Sequence, residues 1–357
     1  MKLHDIFSKN NNFTLLRLVA ALCVLYGHSY ALSVGVSNIH DPISQFIIEF
    51  CGESLPDLAV DLFFVTSGFL VTASYYQRDS LYAFCEARAL RIFPGLLVAV
   101  LFCVFIIGSI STTVSLTNYF SSASTWSYIK HNIMLLNGIQ FDLPAVFISN
   151  PFPSSVNGSL WTLPIELWMY IFIATLGVLN IVHQRATFNL ALLASIILYS
   201  QISTQFLIFD TSRTVHLGLL FFIGAFFYIN RKLISLNIGW LIVIGISAYI
   251  AKGTPISLLF KSIFFTYFTL FVALHPKLRL PSIDRYGDIS YGLYIYAFPV
   301  QQLLAQFIPG ITPLKMIFCS LLITVILAYF SWRYIEKPAL SLKGKLPFGK
   351  HKEDVRL

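Results

Sequence analysis

The chain has 357 residues, of which 57% are hydrophobic and only 11% charged, with a mean hydropathy of +0.75. Its apolar residues come in long blocks, which excludes one large soluble core and predicts an all-α, polytopic membrane protein. The net charge of +8 would otherwise point to nucleic acid, but its placement, taken up below, makes it a topology signal.

The first block, Thr14 to Val34, carries Arg17 and His28 inside an apolar segment. On an α-helix their spacing is about 1100°, three turns plus roughly 20°, so they share one face. Ionisable groups in hydrocarbon cost roughly 2.5–3.5 kcal/mol each, which favours facing a protein interior or a wet cavity. The plainer readings are an Arg17 that snorkels to the interface and a His28 bonded to a backbone carbonyl. The segment is long and no small-residue cleavage pattern follows it, so no cleavable signal peptide is expected.

The second block, 58–75, contains DLFFVTSGFL, Asp61 to Leu70. Asp61, Val65 and Gly68 fall on one helical face, and the small residues permit close helix approach. Ser67 lacks the GxSxG context of an activated serine, so packing is its favoured role. The third block, 92–111, is entered through CEARALRIFPGL, where Arg88 and Arg91 are three apart and share a face. Arginine forks suit phosphate; an ordinary positive flank is the equal alternative. From Thr112 to Ser159 runs a longer connection in which Trp126–Gly138 reads as an interfacial amphipathic helix. The fourth block, 160–180, opens with NGSLWTLPIELWMY; Glu166 and Tyr170 are i,i+4 neighbours, while Trp161 and Trp168 suit the interfacial belt.

Six further blocks, 189–208, 214–230, 236–251, 256–274, 289–308 and 314–332, bring the expectation to about ten transmembrane helices. Residues 1–13 and 341–357 then form a cytoplasmic N-terminus and a basic cytoplasmic tail around a 14–340 transmembrane domain. With both termini cytoplasmic, 19 Lys and Arg fall inside and 4 outside (Lys130, Arg213, Lys252 and Lys315), Lys261 lying within a span. At about 1.5 Å per residue, His28, Asp61 and Glu166 then lie about 9, 5 and 9 Å below the outer edge. A shared depth predicts a common polar pocket, with a carboxylate holding the imidazole in one tautomer for general base work. No tandem repeat, metal-ligand spacing, disulfide framework or nucleotide loop emerges.

The chain resembles the acyltransferase-3 family of integral membrane O-acyltransferases, bacterial enzymes that acylate surface glycans and related acceptors. The resemblance covers nearly the whole chain and rests on Arg17 and His28 at their spacing, FFVTSGFL, RALR, SLWTLPIELWMY, DISYGLYIYAFP and WRYIEKP. It implies His28 as catalytic base supported by Arg17, Arg88 and Arg91 engaging the acyl-CoA donor, and Glu166 and Tyr170 at the family's acidic and tyrosine positions. Tyr291, in DISYGLYIYAFP, joins Asp61, Ser67 and Tyr170 as a supporting residue. Ala297 stands where many members carry a histidine before Phe-Pro, so either that histidine is not required or this chain belongs to a branch with a different acceptor. The C-terminal esterase-like domain of some members is not expected here. The implied activity is acetyl transfer from cytoplasmic acetyl-CoA, a co-substrate with no permanently bound cofactor and no metal, to a glycan or lipid-linked sugar. It is placed in the bacterial inner membrane, with glycan-assembly partners. The rival reading is a proton-coupled or lipid-linked glycan transporter using the same ionisable groups.

Overall fold

In a computed structural model the chain is helical. Among the described residues, 3, 11–35, 41–78, 80–201, 211–278 and 287–345, there is no strand, only an isolated bridge between Thr112 and Val146. The helices are α1 (Phe13–Val34), α2 (Pro42–Cys51), α3 (Leu55–Arg78) and α4 (Leu81–Phe102), the last carried by a π-helical turn, Cys103–Gly108, to Ser111. Then come α5 (Leu116–Ser121), α6 (Ala123–Met134), and α7 (Thr162–Val178), entered through a 3-10 turn at Gly158–Trp161. They are followed by α8 (Arg185–Gln201), α9 (Thr211–Ile229), α10 (Ile238–Ile250), α11 (Ser257–Leu274), α12 (Ser290–Phe307) and α13 (Pro313–Ser331). A π-helical turn at Trp332–Glu336 leads into the short α14 (Lys337–Leu340).

Among the described residues every apolar block falls on a helix, as hydropathy demands of backbone that must satisfy its own hydrogen bonds in lipid. Six helices (α1, α3, α4 to Ser111, α7, α11 and α13) are long and apolar enough to cross a membrane, and α8, α9 and α10 hold shorter apolar helices. The protein is thus a helical membrane protein. Residues 1, 2, 4–10 and 346–357, which include most of the expected cytoplasmic flanks, lie outside the described residues, as do 202–208 of the fifth block. Within the Trp126–Gly138 stretch the chain is helical as far as Met134, where α6 ends on Leu135 in a left-handed conformation.

The chain divides into two compact units. The first comprises Met1–Arg17, Asp61–Phe84 and Trp168–Arg285. Here Gly68 of α3 meets α9 so closely that a Cβ would sit 1.9 Å from the carbonyl oxygen of Phe221, and one on Gly224 would sit 2.5 Å from that of Val65. This is the close approach read from the small residues of VTSGFL. The Asn12 side-chain amide donates to the carbonyls of Val272 and Leu278, both at 2.8 Å, tying the start of the chain to the end of α11. A cavity of about 500 Å³ among α8, α9, α10 and α11 is lined mainly by aliphatic and aromatic side chains, with no acid or cation among the described residues of its wall.

The second unit comprises Leu18–Val60, Cys85–Leu167 and Tyr286–Leu357. Helices α12 and α13 pack through Gly292, where a Cβ would lie 2.8 Å from Ala328 Cα. The connection before α7 is fastened onto α12. Asn150 donates to Gln302 Oε1 at 2.7 Å, Gln302 donates back to the carbonyls of Phe152 and Ser155, and Asn157 donates to that of Ile295 at 2.8 Å. Ala145, Phe147 and Ser154 hold φ of 56°, 55° and 63°, a conformation that costs a non-glycine residue free energy and persists only where the surroundings fix it.

Candidate functional site

His28 lies on α1 and forms part of the wall of a cavity of about 320 Å³ within the second unit. Its Nδ1 is buried and has no hydrogen-bond partner among the described residues, so the bland expectation of a carbonyl-bonded histidine is not met at that nitrogen. The ring stands edge-on to Phe298 of α12 at 5.1 Å, and Phe298 stands edge-on to Phe152 of the fastened connection at 5.9 Å. The following turn of α1 is held from α12, where buried Gln301 donates to Ser29 Oγ at 2.7 Å and to the Leu25 carbonyl at 2.9 Å. Gly27 admits Pro56, which an added Cβ would meet at 2.5 Å. The imidazole is therefore set in a packed shell that fixes its direction.

The carboxylates on this wall are Asp41 and Asp57, neither of which the depth reckoning singled out. Asp41 caps α2, and its Oδ1 accepts from Tyr26 Oη at 2.5 Å and from the backbone N–H groups of Ile43 and Ser44. Asp57 sits in the first turn of α3 and accepts from Ser54 Oγ. Helix α2 was missed as an element, although Asp41 before Pro42 and Gly52 after Cys51 are the expected start and stop signals. Trp161 and Tyr294 also form part of the wall. Tyr294 Oη shares a 2.7 Å hydrogen bond with Thr162 Oγ1 and lies within electrostatic reach of the half-buried Glu166.

In the first unit, Asp61 is 2% exposed and ion-paired. Arg213 Nη2 lies 2.9 Å from its Oδ1, and His216 Nε2 lies 2.9 Å from its Oδ2, both from α9. The sequence placed Asp61 by depth with His28 and Glu166; its partners are instead an arginine and a second histidine. The reason is physical: a buried carboxylate requires a counter-charge, and depth along one helix says nothing of which neighbour faces it. Thr66 donates back to the carbonyls of Leu62 and Phe63 of its own helix. Ser67 and Arg17 are half-buried and Tyr170 is buried, all three in this unit.

Arg88 and Arg91 belong to the second unit. Arg91 Nη2 bonds Asp288 Oδ2 at 2.7 Å, its Nη1 lies 3.8 Å from Glu336, and its guanidinium stands over the Tyr291 ring at 5.7 Å. Tyr291 Oη in turn donates to the Ile92 carbonyl at 2.9 Å. Three of the motif stretches, RALR, DISYG and WRYIEKP, thus meet in one charged knot. Among the described residues no cluster of His, Cys, Asp or Glu could hold a metal ion.

A many-helix membrane protein with histidine, arginine and carboxylate groups enclosed among its helices is the class that fold and site define. The family profile described as an acyltransferase domain matches residues 10–333. The chain belongs to the acyltransferase-3 family and is an O-acyltransferase. It is 30% identical over 344 residues, covering 93% of the chain and 97% of the relative, to a protein of Shigella phage Sf6 named O-acetyl transferase. It is 28% identical to nodulation protein 10 of Rhizobium leguminosarum bv. viciae over 94% of the chain and 95% of that protein. O-acetyltransferase OatA of Staphylococcus aureus is 25% identical over 79% of the chain, which corresponds to 52% of OatA. No solved structure matches.

Proposed function

We propose that the enzyme moves an acetyl group from cytoplasmic acetyl-CoA to a hydroxyl of an extracytoplasmic or lipid-linked glycan, in the inner membrane of a bacterium, with His28 as general base. The observation that carries this reading is the cavity bounded by His28, a largely apolar space with Asp41, Asp57 and two serines in its wall, large enough for part of a ligand, beside an imidazole whose buried Nδ1 has no hydrogen-bond partner among the described residues. The name of the phage relative supports acetyl as the group moved. The acceptor hydroxyl gives its proton to His28 as its oxygen attacks the thioester carbonyl carbon. The C–S bond breaks, and the imidazolium returns the proton to the departing CoA sulfur. Proton transfer of this kind contributes roughly 10²–10⁴ in rate.

Glu166, within electrostatic reach of Tyr294 of that wall, is the proposed acidic support, and Arg17, Ser67 and Tyr170 are further proposed supporting residues. Arg88 and Arg91 are proposed to engage the donor's phosphates. Arg91 is already bonded to Asp288, so its share is to hold the knot in which Tyr291 lies, and Arg88 is the direct phosphate contact. The test is transfer of label from acetyl-[¹⁴C]CoA to cell-surface glycan extract by purified protein in nanodiscs, compared with His28→Ala and Arg88→Ala. Loss of transfer in the first, and a KM for acetyl-CoA raised more than that for acceptor in the second, are expected. Unchanged transfer in His28→Ala removes the base assignment.

A further inference from the structure

We infer that the cavity among α8, α9, α10 and α11 is the seat of one membrane glycerophospholipid, whose acyl hydrocarbon fills it and ties these four helices together. The described wall lies wholly within the first unit, and the inference does not depend on the acyl-transfer mechanism.

The mouth decides what enters. On the floor, Ile223, Phe227 and Tyr267 are buried core residues. On the rim, Leu193, Leu233 and Trp240 also line the cavity, yet they are 54%, 62% and 54% exposed. The apolar surface continues outward from them through the exposed Leu190 and Ile197 of α8 and Ile238 of α10. On a helical membrane protein such a surface is the interface with lipid, so the cavity is an inward pocket of that interface, and hydrocarbon stands at its mouth.

The wall decides what stays. Its polar side chains already have partners within the protein. Asn189 and Asn230 exchange amide hydrogen bonds at 3.1 and 2.9 Å. Ser235 Oγ accepts from the Asn237 side chain at 3.3 Å. Tyr267 Oη donates to the Ser235 carbonyl and accepts from the Asn237 N–H, both at 2.9 Å. A sugar or a nucleotide would have to break these bonds to make its own, whereas a hydrocarbon chain asks for none.

Size agrees. A volume of about 500 Å³ holds about sixteen methylene-sized groups at roughly 30 Å³ each, the share of one water in its liquid. Left empty, the lining would lack dispersion contacts on one side. The bilayer's own acyl chains are the most concentrated hydrocarbon at the mouth, so mass action favours them over a scarcer lipid. Helices in lipid associate by packing rather than by a hydrophobic force, and an inserted chain supplies packing to all four at once.

The test weighs the full chain by native mass spectrometry after repeated detergent exchange in dodecyl maltoside. About one retained glycerophospholipid per chain is expected, with at least about fivefold less in Leu192→Trp and in Leu259→Trp, which fill the cavity from two different helices. Leu190→Trp, on the lipid-facing side of α8 and outside the described wall, should retain as much as wild type. A second arm stands even where a filled variant fails to fold. Phe226 of the wall is replaced by the photoreactive p-benzoylphenylalanine and irradiated after the same exchange, with Leu190 replaced likewise as the control. A glycerophospholipid mass added at position 226 and not at 190 is expected. No lipid retained by wild type, retention unchanged in folded Leu192→Trp and Leu259→Trp, or no more lipid adduct at 226 than at 190 overturns the inference. A retained isoprenoid phosphate in place of a glycerophospholipid overturns the choice of occupant.

Discussion

Replacing Asp61 with leucine is predicted to destabilise the protein more than removing Asp61 and Arg213 together. Asp61 is 2% exposed, and its two oxygens are each 2.9 Å from a cationic or ionisable nitrogen, one on Arg213 and one on His216. The side chains of Arg213 and His216 are 22% and 11% exposed, so water replaces the lost carboxylate poorly. Removing one member of such a pair costs about 3–5 kcal/mol, because the remaining charge stays buried, whereas replacing both with apolar groups of similar volume is often close to neutral. Asp61→Leu should therefore lower the thermal midpoint, followed by tryptophan fluorescence in detergent micelles, by roughly 6 °C or more. Adding Arg213→Met should recover at least half of that fall. Asp61→Asn keeps a hydrogen-bonding group and should lose about 1.5–3 kcal/mol. A double variant no more stable than Asp61→Leu would refute the ion-pair reasoning and leave shape as the explanation.

Gly68→Ala should destabilise by about 1–3 kcal/mol or more by overpacking, since its Cβ would overlap the Phe221 carbonyl oxygen; a thermal midpoint within 1 °C of wild type would contradict the contact. Gln301→Leu removes two donors that hold the α1 turn beside His28 and should lower kcat with KM for acetyl-CoA unchanged, as expected of a residue that positions the base; a change in KM alone would argue otherwise. Arg91→Lys keeps the charge but loses the guanidinium that faces both Asp288 and Glu336 and should leave acetyl-CoA KM raised less than Arg88→Ala does; equal effects would make both arginines phosphate contacts.

The helices were legible because lipid imposes long apolar runs, and over the described residues each run lies on a helix. Helix α2 was not, because its ten residues are too few to register as a span. Asp41 and Asp57 went unremarked for the same reason: near the ends of apolar segments they look like ordinary interfacial polar residues. Asp61 was recognised as needing company, yet His216 lies 155 residues away in sequence, and no spacing rule on one helix reveals which side chain another presents. Arg91 was placed correctly on its face with Arg88, while its bond to Asp288 spans 197 residues and turns a motif that reads as an anion site into one partly occupied by the protein's own acid. His28, by contrast, stood out from the start, because an imidazole amid leucines and valines calls for a cavity or a partner.

The most direct test of the account is thioester consumption by purified protein, wild type against His28→Ala, at saturating acetyl-CoA with acceptor present. The account predicts a fall of at least about 10²-fold in a variant whose thermal midpoint matches wild type. Consumption within threefold of wild type would contradict it.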